Sequence, residues 1–221
     1  MIELLHLASP QVRNDLGRRV QSLKYGARTT IIERGSPAGD VYFISEGEAE
    51  VCLYSADGRQ IGIVNLGAGD FFGELSAFDG ENRSANVTAR SELRLMRMSR
   101  ADFQLCIEST PAAALWLAHR FSDAMRRLTD RVFELSALNV QTRIQCELLR
   151  LARSGRREGD AIRVLPAPTH LEIANRIGTH REAVTREIRA LANANILRAR
   201  RRSLEFIDVR SLERAVQRIV G

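Results

Sequence analysis

The sequence predicts an α+β chain in three parts: an all-β roll of jelly-roll type, one long helix, and a C-terminal winged helix-turn-helix. Three observations predict it. Short β-prone segments recur between glycines over residues 20–100, and an apolar heptad pattern runs on from Pro111. After residue 139, two capping-box patterns lie either side of a glycine. The boundaries fall at 1–110 for the roll, 111–138 for the helix and 139–221 for the helix-turn-helix.

In the first part, TTIIERG, DVYFISEG, AEVCLYS, RQIGIVNLG, SANVTARS and ELRLMRMS read as strands. Gly35, Gly47, Gly58, Gly67 and Gly69 punctuate them at the spacing of a small roll or barrel. Asp57-Gly58 is a hairpin signal. A short helix is expected before the roll (Gln11–Val20) and another after it (Arg100–Glu108).

Pro111 opens a helix reaching about Leu138. Steps of four and three pick out Ala114, Ala118, Phe121, Met125, Leu128, Val132, Leu135 and Asn139. No second long helix follows in sequence, so this seam is expected to face its copy in a parallel homodimer. The alternative is a single helix packed on its own domain.

The last part reads as helix VQTRIQCELLRLA, an exposed loop RSGRREGD, helix THLEIANRIG, helix THREAVTREIRALANA, two short strands around an arginine tip, and a closing helix. Thr169-x-x-Glu172 and Thr179-x-x-Glu182 fit capping boxes, with Gly178 at the turn between them: a helix-turn-helix. In the second of these helices Val184, Ile188 and Leu191 should pack inward. Arg181, Glu182, Thr185, Arg186 and Arg189 then occupy an opposite arc of about 140°. Arginine can bond a guanine edge bidentately and glutamate can accept from cytosine N4, so this face suits a major groove. Thr169, Thr179 and His180 lie at its approach. Arg200, Arg201 and Arg202 form the wing tip and suit phosphate. A cap-only Glu182 and merely solvated arginines are the plain alternatives.

Charge supports that assignment. Residues 1–137 hold 16 Lys and Arg against 18 Asp and Glu, whereas residues 138–221 hold 17 against 9. Codon bias toward arginine accounts for Lys24 being the single lysine, not for the difference between the halves. The three cysteines, Cys52, Cys106 and Cys146, are isolated and read as core thiols rather than metal ligands. No long apolar run and no basic leader are present, so no membrane association and a cytoplasmic location are expected. G-x-S-x-G, H-E-x-x-H and Walker patterns are absent, which argues against an enzyme. No cofactor is expected.

The stretch FGELSAFDGENRSANV, Phe72 to Val87, contains Gly73-Glu74-Leu75 on a tight turn and Arg83-Ser84-Ala85 entering a strand. Arg83 can hold a phosphate through two parallel charge-assisted bonds, Ser84 adds a hydroxyl, and Glu74 can accept from a ribose hydroxyl. A cyclic nucleoside monophosphate meets all these demands. So, by residue types alone, does a Glu74–Arg83 ion pair stapling the loop.

The stretch GELSAFDGENRSA resembles the phosphate-binding cassette of cyclic-nucleotide-binding domains, with a nine-residue Glu-to-Arg spacing that such domains commonly use. ERGSPAGDVYFISEGEAEV, LNVQTRIQCELLRLA and REAVTRE are similar to the early roll strands, domain-joining helix and recognition helix of the Crp/Fnr family of regulators. The resemblance implies that the roll is a cyclic-nucleotide-binding domain. Arg83 and Ser84 would take the cyclic phosphate and Glu74 the ribose 2′-hydroxyl, while Gly73 allows close approach. It further implies that Arg181, Glu182 and Arg186 read a half-site resembling TGTGA. A homodimer would set two such helices about 34 Å apart on a palindromic double-stranded operator. Where cyclic-AMP-binding members contact adenine through Thr-Ser on the long helix, this chain has Leu128-Thr129. The effector is therefore expected to be cyclic AMP or cyclic GMP, with weaker selection of the base. A constitutive regulator, or one answering another effector, is the alternative. The loop SGRREGDAIR is a candidate contact for RNA polymerase, although loops of this composition are ordinarily just solvated.

Overall fold

The computed structural model describes residues 3–56 and 60–220. Two compact units divide the chain, Met1–Met125 and Arg126–Gly221.

The first unit opens with α1 (Glu3–Leu7) and α2 (Pro10–Arg19). Ser9 caps α2 by accepting from the Val12 N–H, with Pro10 beginning the helix. Eight strands follow: β1 (Gln21–Tyr25), β2 (Thr30–Ile32), β3 (Val41–Glu46), β4 (Ala49–Tyr54), β5 (Gln60–Leu66), β6 (Phe71–Phe72), β7 (Asn86–Ala89) and β8 (Leu93–Met98). Between β6 and β7 lies α3 (Glu74–Asp79); after β8 come α4 (Arg100–Ser109) and α5 (Pro111–Ala137). The strands form two antiparallel sheets, ordered β1-β8-β3-β6 and β2-β7-β4-β5. All six strands expected from sequence are present. The Asp57-Gly58 turn lies outside the described residues, but β4 and β5 pair around it up to Tyr54 opposite Gln60.

Strand β3 is covered on both faces. Ile44 joins Ile32, Phe72, Val87 and Leu95 between the sheets, while Val41 and Phe43 join Leu16, Phe103, Ala113 and Leu117 beneath the helices. Successive strand residues point to opposite faces, so β3 supplies both cores at once.

In the second unit α6 (Val140–Ser154) is capped by Asn139 on the Thr142 N–H. Strands β9 (Arg156–Glu158) and β10 (Ala161–Val164) come next, then α7 (His170–Ile177), α8 (Arg181–Asn193), β11 (Leu197–Arg200), β12 (Ser203–Phe206) and α9 (Val209–Val220). The segment RSGRREGD, read as a loop, is instead half of a hairpin. It adds β9 and β10 to the wing, giving a sheet ordered β11-β12-β10-β9. All three residues of β9 are exposed, so no apolar alternation marks it in the sequence. The core of this unit gathers Ile144, Leu148, Ile173, Ile177, Val184, Ile188, Leu197, Phe206 and Leu212.

The buried residues of α5 are Ala113 and Leu117, which lie off the heptad seam. Along the seam Met125, Leu128, Val132 and Leu135 are 69%, 55%, 63% and 47% exposed in the single chain. Such a stripe is the kind of apolar surface that marks an interface. All three cysteines are free and buried. Among the described residues no helix is long and apolar enough to cross a membrane, and no cluster of metal-ligating side chains occurs.

A carboxylate ties the helices of the second unit together. Glu147 on α6, 4% exposed, accepts from Arg150 at 2.9 Å and from Arg176 of α7 at 3.1 Å, with Arg131 of α5 at 3.7 Å. Glu134 on α5 pairs with Arg131 at 3.2 Å and also with Arg150. Burial and the neighbouring Arg131 charge press the pKa of Arg150 down to about 10. Deleting one member of a buried ion pair strands its partners. Glu147→Ala is therefore expected to lower the unfolding free energy of this unit by about 2–3 kcal/mol, below the buried-pair range because the arginines are partly solvated. Urea unfolding of the variant against the parent chain measures it.

Candidate anion site and nucleic-acid interface

Arg83 lies at the end of the α3–β7 loop, and its backbone is drawn into the roll by neighbours nearly fifty residues upstream. Its N–H donates to the Ser36 carbonyl at 2.9 Å and its carbonyl accepts from Gly35 N–H at 2.9 Å. The side chain turns inward and is 7% exposed. Nη1 donates to the Gly73 carbonyl at 2.9 Å and to Ser76 Oγ at 2.8 Å; Nη2 donates to the Asp40 carbonyl at 2.8 Å. Every one of these acceptors is neutral, and no ion pair reaches Arg83 among the described residues. The Glu74–Arg83 staple allowed by the sequence does not form. Burial accordingly pushes the guanidinium's pKa down.

Two glycines make room for it. A Cβ on Gly73 would stand 2.7 Å from Nη1 and 2.8 Å from the Asp40 carbonyl, and one on Gly39 would stand 2.8 Å from Nη2. Gly73 also has φ 89°, the left-handed entry to α3. Glu74, half-buried at the start of α3, has its pKa raised by burial, against the opposing pull of its own backbone N–H and of Arg83 and Arg120. Arg120 on α5 bonds Asp70 at 3.2 Å and lies over the Phe71 and Trp116 rings at 5.4 and 5.8 Å. Leu75 and Ser84 are exposed and Ala85 is half-buried, all within reach of solvent beside the buried cation. Leu128 and Thr129 are exposed on α5, in the other unit. Sequence reasoning missed Gly39, Ser76 and the Asp40 carbonyl. Only the capped turn of α3 and the folding of β3 beside it bring them to Arg83, and a backbone acceptor carries no residue signature.

In the second unit the first expected capping box is complete: Thr169 Oγ1 accepts from Glu172 N–H at 3.2 Å, and Glu172 Oε2 accepts from Thr169 N–H at 2.6 Å. The helix ends at Gly178 in the left-handed region, φ 64°. The second pattern does not supply the N-cap of α8. The N-cap of α8 is His180, exposed and without a side-chain cap bond, while Thr179 is buried. The Thr179 N–H closes α7 onto the Ala174 carbonyl at 3.0 Å, a Schellman closure that places Thr179 within the turn. The turn's geometry thus overrides the local capping pattern.

Val184, Ile188 and Leu191 of α8 are buried as expected. Glu187 is buried as well and accepts from Gln145 Nε2 of α6 at 2.6 Å, fixing the rotation of the helix. The outward face stays open: Arg181, Glu182, Thr185, Arg186, Arg189, Ala190 and Asn193 line a depression of about 630 Å³. Ala190 and Asn193 extend the residues singled out in the sequence. At the wing tip Arg200, Arg201 and Arg202 are all exposed.

This architecture has two counterparts among known domains. A cyclic nucleotide-binding domain model matches residues 22–110, and a Crp-like helix-turn-helix domain model matches residues 142–215. A CRP-like cAMP-activated global transcriptional regulator from Mycobacterium tuberculosis is 30% identical over 200 residues, covering 90% of this chain and 89% of that protein. The cAMP-activated global transcriptional regulator CRP of Haemophilus influenzae is 28% identical over 192 residues, covering 85% and 84%. The solved structure of a CRP-family transcriptional regulator from Thermus thermophilus matches with a TM-score of 0.72 at 25% identity, covering 88% of this chain and 96% of that one. The two matched domains and these relatives define a DNA-binding transcriptional regulator of a family of non-enzymatic regulators. The chain belongs to the Crp/Fnr family.

The two kinds of arginine should respond differently to substitution. Arg181→Ala is expected to cost about 1–3 kcal/mol at one base pair while leaving random-sequence affinity nearly intact. Arg201→Ala should weaken specific and random DNA alike and reduce the salt slope by about one. Fluorescence anisotropy against salt on both duplexes separates the two.

Proposed function

We propose that this chain works as a homodimer on palindromic double-stranded operators, under the control of a cyclic nucleoside monophosphate, cyclic AMP or cyclic GMP, bound in the roll. The observation that carries the effector is Arg83. A guanidinium taken out of water and bonded only to neutral oxygens lacks a counter-charge, and a small anion beside it restores one. Ser84 and Ala85 follow it in the chain, and Glu74 offers a carboxylate to a ribose hydroxyl. The exposed seam from Met125 to Leu135 supports the dimer, since two copies would cover it. Relatives described as cAMP-activated support the same reading.

The mechanism is a shift between two dimer arrangements. Effector binding favours the arrangement whose two α8 helices match the operator spacing, and it can do so only by its differential affinity for the two. Contact between the β9–β10 hairpin, through its exposed strand β9, and RNA polymerase, in the cytoplasm, belongs to this proposal. Leu128 favours a second form of the reading. Its side chain cannot bond an exocyclic amine, so the base would be poorly discriminated, or another effector would serve.

Side-by-side calorimetric titration with cyclic AMP and cyclic GMP tests the proposal. Binding of either is expected, and Arg83→Leu should weaken it by more than tenfold, as loss of a charge-assisted bond implies. Arg83→Lys, which keeps the charge and loses the fork, should fall between. No heat with either nucleotide at millimolar concentration would leave the roll as a scaffold.

Acidification tests Glu74. Its folded pKa is raised above the ordinary 4.5, so its burial disfavours the charged state, and the associated cost to folding is relieved as pH falls through the raised value. Ribose recognition needs the carboxylate. Nucleotide affinity should therefore decline on acidification from a pH above 4.5, and Glu74→Gln should bind more weakly at neutral pH with that dependence removed.

A further inference from the structure

Within the α8 face, Thr185 differs from its arginine neighbours in already being bonded. Its Oγ1 donates to the Arg181 carbonyl one turn back at 3.0 Å. The same oxygen is 2.8 Å from Nδ1 of His170, the first residue of α7. A hydroxyl has a single hydrogen. With His170 carrying its proton on Nδ1, that hydrogen goes to the Arg181 carbonyl; with the other tautomer, it goes to His170. Neither arrangement leaves Thr185 an O–H to donate outward.

The consequence for recognition follows from the groove. Guanine N7 and O6, adenine N7 and thymine O4 are acceptors and need a donor, which Thr185 lacks. Its oxygen is turned back along the helix toward Arg181, and its Cγ2 methyl takes a different staggered position. The apolar feature a major groove offers to a methyl is the 5-methyl group of thymine. Burial, with the charges of Arg181 and Arg189, lowers the pKa of His170 and so disfavours a further cation beside these arginines.

We propose that Thr185 reads one thymine per half-site through its methyl group, and that His170 is the positioning residue that commits the Thr185 hydroxyl inward. His170 thereby acts on base choice without touching a base. This deepens the operator reading above and rests on it.

The test uses the full chain with saturating cyclic AMP or cyclic GMP, and duplexes selected from a random pool. Each thymine of the selected site is replaced in turn by deoxyuridine, which removes the methyl and nothing else. Thr185 predicts one position per half-site at which this weakens binding by about three- to fivefold, the scale of one buried methyl. Thr185→Ser, which keeps the hydroxyl and loses the methyl, should abolish the thymine–uracil difference there. Thr185→Val, which keeps methyls and loses the hydroxyl, should retain it. His170→Ala should shrink the difference with the salt slope unchanged. The proposal is overturned if every thymine tolerates uracil, if the serine variant keeps the full difference, if the valine variant loses it, or if His170→Ala leaves it untouched. A pool that yields no preferred sequence would instead remove the operator reading, with Arg181→Ala as the control for direct readout.

Discussion

A guanidinium buried among neutral oxygens constrains the first unit more than any other interaction. Arg83 cannot sit where it does unless Gly39 and Gly73 lack side chains and the chain turns left-handed into α3. Its three bonds tie α3, through Gly73 and Ser76, to the segment before β3, through Asp40. Each neutral acceptor satisfies a donor and none supplies an opposing charge. The roll thus holds a cation whose own bonds bring it no opposing charge, and this supports the anion binding proposed for it.

The second unit solves a different problem: presenting one face of a helix at a fixed rotation. The reciprocal cap of Thr169 and Glu172 starts α7, and Gly178 stops it. Gln145 holds Glu187, so the polar residue on the inner side of α8 has a buried partner and the arginines face out. Beneath them the Glu147 cluster locks α6 to α7 and to the end of α5. Charged groups in this unit therefore divide by burial. The buried carboxylates Glu147 and Glu187 are held by other side chains and set geometry, while the arginines on the outer face of α8 and at the wing tip are exposed.

The helix α5 joins both schemes. Its Ala113 and Leu117 complete the apolar layer under the first unit, while Arg131 and Glu134 belong to the ion cluster of the second. Met125 and Leu128, at heptad positions between them, are exposed in one chain. An exposed apolar stripe of this kind is what supports the dimer proposed above.

By itself the sequence determined the elements whose signals are local. Six strands showed through glycine spacing and alternation. The heptad seam, the Thr169 cap, the inward stripe of α8 and the charge imbalance each belong to one segment's own chemistry. Gly73, Glu74, Arg83 and Ser84 lie within twelve residues of one another, and their resemblance to a family cassette made the site legible where residue types alone left an internal ion pair equally open. Tertiary structure alone decided the rest. It paired the fully exposed β9 into a sheet, drew Thr179 into the turn against its capping pattern, and gave Arg83 the Asp40 carbonyl and the space at Gly39. It also joined His170 to Thr185 across the turn. The physical reason is common to all four. A hydrogen bond or steric clearance between distant backbone segments depends on where the chain returns, and residue identity along one segment does not encode that return.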